Sequence, residues 1–304
     1  MSVKVKLFSF LKKYCPFVIE WGRSIKKIGK RIQLEEKKRQ KKIISFDNLK
    51  TDLIAMGIQK GDHVIVHSSL SKMGYVEEGP KTLVDALMNV IGETGTLLCP
   101  CFAHHTFSKY YLDTNPVFDV LHSPSKAGAV TEYIRNLPGA KRSLHPTDSV
   151  CAIGALADYF TNSHFGQLTP YNENSPYYKL AQHKGKIINI GVPLNTSCTN
   201  LHTLEDAVDF KYPIYHQKIY DAKLINEKGE LLSMKTKVHD PVFSQKRRPD
   251  ELIPLFEKEG IFKRGTVGEA SANIIPAKEL LEVMIKAYHD NNVTMYTPLG
   301  GELN

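Results

Sequence analysis

The sequence predicts an α/β fold, and three observations make that prediction. Short apolar runs of strand length recur along the chain. Segments with a helical stripe fall between them, and glycines or polar clusters stand at the joins. Residues 63–66, 95–100, 150–153 and 186–192 read as strands, while 82–91, 127–137 and 177–183 read as helices. A chain of 304 residues can bury one large core or two modest ones.

Taken in order, the first 42 residues stand apart. They carry 14 Lys/Arg against 3 Glu, whereas the rest carries 26 basic and 29 acidic residues. The net charge of +8 therefore belongs to the extension, and the body is slightly acidic. Leu7, Phe10, Leu11 and Tyr14, then Val18, Trp21, Ile25, Ile28 and Ile32, fall at helical spacing among lysines and arginines. Such a pattern suits an anionic membrane surface, and it equally suits packing on the body or on another subunit. No base-reading module accompanies the charge, so nucleic acid is not an expected partner. The chain divides into an extension, 1–42, and a catalytic body, 43–304.

Within the body, Phe46, Leu49, Leu53 and Met56 form a helical stripe that Gly57 ends. The strand at 63–66 runs into His67, Ser68, Ser69, Leu70 and Ser71. This serine-rich loop can offer hydroxyls and backbone N–H groups to an anion or an amide. The aromatic-rich segment 103–122 reads as a wall or lid of a substrate site. Cys99, Cys101, His104 and His105 are zinc-type donors at no common zinc spacing, so no metal is expected. Arg142 beside Ser143 reads as a phosphate contact, with a solvated arginine as the plain alternative. Residues 218–235 alternate as a hairpin turning at 227–230, and 277–287 make a last helix. Five irregularly spaced cysteines argue against a disulfide framework and for a reducing, cytoplasmic setting. No Walker loop or G-x-G-x-x-G motif is present, nor a signal-peptide pattern.

The chemistry concentrates after the apolar run 186–192, at Thr199, Asn200, Leu201, His202, Thr203, Leu204, Glu205 and Asp206. A helix starting near Thr199 puts His202 in its first turn, and a carboxylate three or four residues on can share its face. A carboxylate that fixes the imidazole's tautomer makes it a usable base. A histidine beside acidic residues favoured by the helix dipole would look the same.

Several of these segments together resemble the aminoglycoside 3-N-acetyltransferase family. They are residues 67–71 with Gly74; Gly92 with 95–97; Ser123 and Pro124; 138–140 with Arg142, Ser143, His145 and Pro146; Ser175 and Pro176; Gly191 and Val192; Thr199, Leu201, His202 and Glu205; and Gly265 with 268–270. The resemblance spans about residues 43–290.

It implies a single three-layer α/β/α domain with a central mixed sheet, and acetyl transfer from acetyl-CoA to a primary amine of an amino sugar or aminocyclitol. It places acetyl-CoA at His67, Ser68, Ser69, Leu70 and Ser71, with Arg142 and Ser143. His202 would be the general base, Glu205 its orienter or an amine contact, and Thr199 an oxyanion donor. His145 and Asp206 would join Glu205 on the acceptor side, although a histidine before proline can simply cap a strand.

Two departures from the family pattern bear on the substrate. Residues 194–198 lack the carboxylate that drug-modifying members often carry before the Thr-x-Leu-His motif, and the basic extension is extra. The acceptor is thus an aminoglycoside-type drug or an amino sugar of surface-polysaccharide synthesis. Other readings are a non-catalytic membrane-surface scaffold, a Cys198-dependent ping-pong acyltransferase, and a hydrolase, although no G-x-S-x-G elbow is present. Self-association stays open.

Overall fold

The computed structural model describes Gly29, Glu36, residues 42–197 and residues 199–303. Two expectations, the amphipathic anchor of the extension and the Cys198 nucleophile, lie outside the described residues. Strands β1 (Ile43–Ile44), β2 (His63–Ser68), β3 (Tyr75–Val76), β4 (Thr96–Pro100), β5 (Val117–Asp119), β6 (Lys141–Arg142), β7 (Val150–Gly154), β8 (Lys186–Ile190), β9 (Tyr220–Ile225), β10 (Leu231–Thr236), β11 (Lys263–Val267) and β12 (Ala270–Pro276) fall into three sheets. The large one has the order β11-β12-β8-β2-β4-β7-β6. Its centre, β8-β2-β4, is parallel, and both flanks are antiparallel. This is the central mixed sheet that the family resemblance implies.

Alternation along the central strands builds the layers, because successive side chains leave a strand on opposite faces. Val64, Val66, Leu97, Cys99 and Ile188 face one way. They meet helices α1 (Phe46–Met56), α2 (Pro80–Ile91) and α3 (Ala129–Arg135) through Leu49, Leu53, Leu83, Leu87, Val130 and Ile134. Ile65, Leu98 and Ile187 face the other way. They meet helices α4 (Pro176–Gln182) and α7 (Ala277–Asn291), reached after α5 (Leu194–Ser197) and α6 (Thr203–Ala207), through Tyr177, Leu180, Leu280 and Met284. Each fully buried leucine or isoleucine stabilises these layers by about 1.5–3 kcal/mol.

Local signals set the helix ends. Ser45 caps α1 in a capping box with Asn48, and Gly57 closes the helix in the left-handed region at φ 100°. The polar loop expected before Thr199 is instead the short helix α5, followed by a 3-10 turn, Thr199–His202.

The hairpin expected at 218–235 is β9 and β10, which pair Tyr220 with Thr236 and Ile225 with Leu231. With β5 it makes a separate three-stranded sheet around Phe118, Leu224 and Met234. That sheet ties the aromatic segment to the body and brings the chain after β10 back beside α6.

The topology fixes where a site can form. From β2 the chain leaves toward α2 on one face. From the adjacent parallel strand β8 it leaves toward α5 and α6 on the other, where Leu194, Leu201 and Leu204 join the second core. The carboxyl ends of β2 and β8 therefore part company, and a crevice opens between them at a topological switch point.

Candidate active site

Two connected cavities occupy that crevice. The first, about 750 Å³, is a groove lined by Ser68, Ser69, Leu70, Ser71, Gly74, Gly79 and Gly128 among others. The second, about 360 Å³, lies deeper and is lined by His67, Phe102, Asp148, Tyr171, Thr199, His202, His239 and Arg247 among others. Ser68, Ala127 and Val192 border both. A recess of about 150 Å³ branches from the deeper cavity beside Leu194, Asn195 and Met295.

His202 stands at the start of α6, with Glu205 one turn on. Its Nδ1 lies 2.8 Å from Glu205 Oε1. His239 Nε2 lies 2.7 Å from Glu205 Oε2, and Tyr296 donates its hydroxyl to Glu205 Oε1 at 2.7 Å. The His202 ring lies 4.4 Å from that of His239 and stacks on Tyr171 at 4.6 Å. Tyr171 in turn donates to Asp148 Oδ1 at 2.7 Å. The donor atoms of His202, Glu205 and His239 lie within 4.8 Å of one another, a grouping that could hold a metal. Their 2.7–2.8 Å N···O separations are hydrogen-bond lengths, so the three satisfy each other directly.

Burial pushes the His202 imidazole down to about 4, with Glu205 opposing. Burial raises the Glu205 carboxyl, but His202 and His239 outweigh it and hold that group far below the usual range. At neutral pH the pair is thus a neutral imidazole against an ionised carboxylate. Glu205 then accepts from Nδ1–H, which leaves the lone pair on Nε2. Nε2 has no partner among the described residues, and His202 lines the deeper cavity. The arrangement can take a proton at Nε2 and stabilise the resulting charge through Glu205.

The predicted residues divide by place. Ser68, Ser69, Leu70 and Ser71 line the groove, with Ser69 Oγ 3.5 Å from Ser71 Oγ. Gly74, Gly79 and Gly128 present bare backbone to the same groove. His67 lies in the deeper cavity instead, its Nε2 buried without a partner among the described residues and its pKa pushed by burial to about 3. Thr199 borders both the deeper cavity and the recess.

Arg142, Ser143 and His145 turn inward, which corrects the placing of all three beside ligands. Arg142 donates to the carbonyl oxygens of Ser123 at 2.5 Å, Val120 at 3.4 Å and Cys101, and its guanidinium covers the Phe118 ring at 4.6 Å. It pins the aromatic segment and has no face left for a phosphate. Ser143 Oγ lies 2.9 Å from His164 Nδ1 and accepts the Val150 amide. His145 accepts the Asp148 amide at Nδ1 and lies 3.4 Å from Thr236 Oγ1 at Nε2.

Glu205 contacts no cavity, because its oxygens are taken by His202, His239 and Tyr296. Asp206 lines none of these cavities, and its carboxyl is raised by burial to about 6. Cys99, Cys101 and Cys151 are buried free thiols, and His104 spends its ring nitrogens on the Thr106 and Thr147 carbonyls.

No expectation named His239, Tyr171, Tyr296 or Arg247. Local spacing gives no signal for them: His239 and Tyr296 reach Glu205 across 34 and 91 positions.

Comparison with known proteins places this geometry. The family model described as aminoglycoside 3-N-acetyltransferase matches residues 65–289. The chain is 30% identical over 263 residues to aminoglycoside N(3)-acetyltransferase VII of Streptomyces paromomycinus, covering 79% of this chain and 89% of that one. Among solved structures it is similar to aminoglycoside acetyltransferase AAC(3)-Xa, with a TM-score of 0.72 and 27% identity over 86% of this chain and 98% of that one. It is also similar to AAC-IIIb in its binary complex with CoASH, with a TM-score of 0.69 and 25% identity over 82% and 97%.

Proposed function

The chain belongs to the aminoglycoside 3-N-acetyltransferase family and is an acetyl-CoA-dependent acyltransferase, and from that premise we propose that it acetylates a primary amine of an amino sugar or aminocyclitol by direct transfer, with His202 as general base. The observation that carries the reading is the 2.8 Å contact between His202 Nδ1 and Glu205 Oε1, placed beside the deeper cavity. Acetyl-CoA lies along the Ser68–Ser71 groove with its thioester at the opening that Ser68 and Val192 share with the deeper cavity.

The acceptor enters that cavity as an ammonium, which has no lone pair to attack with. The ammonium first loses one proton to solvent, which frees the lone pair; as the C–N bond forms, His202 Nε2 takes a second proton from the nitrogen, and Glu205 steadies the imidazolium. Thr199, or a backbone N–H near it, receives the negative charge of the tetrahedral oxygen. His202 then returns a proton as the CoA thiolate departs. His239 and Tyr296 position Glu205, and Tyr171 positions the His202 ring.

The basic extension, residues 1–42, is assigned to peripheral contact with an anionic membrane. Salt-sensitive sedimentation with anionic vesicles tests that, and loss of the binding on removal of residues 1–42 is the expected result.

The catalytic reading is tested by release of CoA thiol from acetyl-CoA across a panel of amines. His202→Ala is expected to lower kcat by about 10²–10⁴-fold while acetyl-CoA binding persists. Unchanged turnover in that variant refutes the assignment. Trapping of an acetylated Cys198 would replace direct transfer with a covalent route.

A further inference from the structure

Three charged side chains line the deeper cavity: Asp148, Lys126 and Arg247. Asp148 is already engaged, since Oδ1 accepts Tyr171 Oη at 2.7 Å and Oδ2 accepts Thr147 Oγ1 at 2.6 Å. The helix beside His202, Leu194–Ser197, contributes Leu, Asn, Thr and Ser and no carboxylate. Glu205 stands behind His202 with both oxygens occupied. A polycationic acceptor would meet a single carboxylate here, Asp148, and that one already accepts two hydroxyl hydrogen bonds.

Arg247 is the opposite case. Its Nε and Nη2 are buried and have no hydrogen-bond partner among the described residues. Its guanidinium sits 6.0 Å from the centre of the Tyr296 ring, the outer limit for a cation–π contact. The neighbouring Arg248, by contrast, is exposed and paired with Glu251 at 3.1 Å. Burial disfavours the Arg247 charge, but Tyr296, whose hydroxyl also interacts with the guanidinium, and Glu205 more than offset this and keep it protonated, with Nε and Nη2 still unpaired among the described residues.

A desolvated guanidinium with free donors is costly unless an anion meets it, and its planar fork matches a carboxylate or phosphate. Its position selects which ligand supplies that anion. Arg247 borders the recess with Leu194, Asn195, Pro249 and Met295, and that recess shares no residue with the acetyl-CoA groove. Lys126 instead adjoins Ala127, which borders both cavities, so it can serve either ligand.

We propose that the acceptor amino sugar carries an anionic group, a phosphate or a carboxylate, which Arg247 receives through Nε and Nη2 while the amine lies at His202. The inference rests on the acetyl-transfer reading and narrows its substrate. Phosphorylated, nucleotide-linked or uronic amino sugars match this balance of charge better than a polycationic drug does, because two cations and one carboxylate line the cavity.

The test compares kcat/KM of the full chain on five acceptors: an amino-sugar 1-phosphate, a nucleoside-diphosphate amino sugar, an amino uronic acid, the neutral methyl glycoside of the same amino sugar, and kanamycin. At least one anionic acceptor should exceed the methyl glycoside by about tenfold or more, and Arg247→Gln should bring that ratio near one, chiefly through KM. Which of the three anionic acceptors leads identifies the group that Arg247 receives. Arg247→Lys should keep part of the preference, because charge survives while the fork is lost. Calorimetric binding of acetyl-CoA to each variant checks that the fold is intact.

Equal use of neutral and anionic acceptors, or a preference that survives Arg247→Gln, overturns the inference. Turnover confined to kanamycin also overturns it, yet leaves acetyl transfer by His202 standing. Failure on every amine with acetyl-CoA still bound defeats the acetyl-transfer reading itself, and the inference with it.

Discussion

Two close pairs of histidine rings, one tilted and one stacked, stand among the described residues in different surroundings. His202 and His239 lie 4.4 Å apart, and His145 and His164 lie 4.5 Å apart. Burial pushes His202 and His145 to about the same value, 4. The first pair is bridged by the Glu205 carboxylate and opens on a cavity. The second is sealed, with 0% exposure at both rings, and its partners are Ser143, Thr147, Thr236, the Asp148 amide and the Pro170 carbonyl. A depressed pKa and a stacked imidazole therefore do not mark a working base by themselves. Asp148 acts on His145 through space, so what separates the two is a carboxylate in direct contact with the rings, and an opening to a cavity.

The largest expected effect breaks the first pair. Glu205→Gln removes the charge that stabilises the His202 imidazolium and should lower kcat by about 10²–10³-fold with little change in the KM for acetyl-CoA. A change below about threefold would make Glu205 structural only.

Acid sensitivity is expected to draw on His202 and on the sealed pair together. His202, His145, His67 and His164 are all held neutral by burial. Below about pH 6.5 the unfolded chain gains protons at these residues that the native chain does not, so stability is complete above that pH and falls toward pH 4. Each such group removes on the order of 1.4 kcal/mol per pH unit within its window. Asp206, raised to about 6, acts the other way over part of that range and softens the fall. Urea unfolding at pH 7.5, 6 and 5 measures the slope. A flat profile would mean that the rings are charged in the native state.

A smaller effect sharpens the contrast. His145→Asn should cost about 1–3 kcal/mol of stability through unpaired buried groups. Its pH–rate profile should match that of the unaltered enzyme. A shifted profile would show the sealed pair to be coupled to the base through Asp148 and Tyr171.

Much of this fold is legible in the sequence, because its signals are local. The unbroken apolar run Val64, Ile65 and Val66 announces a buried strand, and Gly57 announces a helix end. His202 and Glu205 are legible for the same reason, since one turn of helix brings them together. His239, Tyr171, Tyr296 and Arg247 are not, because only the closed fold places them near Glu205. Arg142 misleads for a related reason. Its residue type suits a phosphate, but the carbonyl ends of the 101–123 segment take up its donors, and no sequence pattern records that demand.

On the proposed reading, the parting of the chain at β2 and β8 gives donor and acceptor largely separate stretches of sequence, residues 69–79 for one and chiefly 194–205 with 239–248 for the other. Either stretch can drift without dragging its neighbour along. Ancestry read from the whole chain thus speaks clearly about what is given and only faintly about who receives it. A mutant library confined to the second stretch would redraw the acceptor repertoire while every member still handled acetyl-CoA.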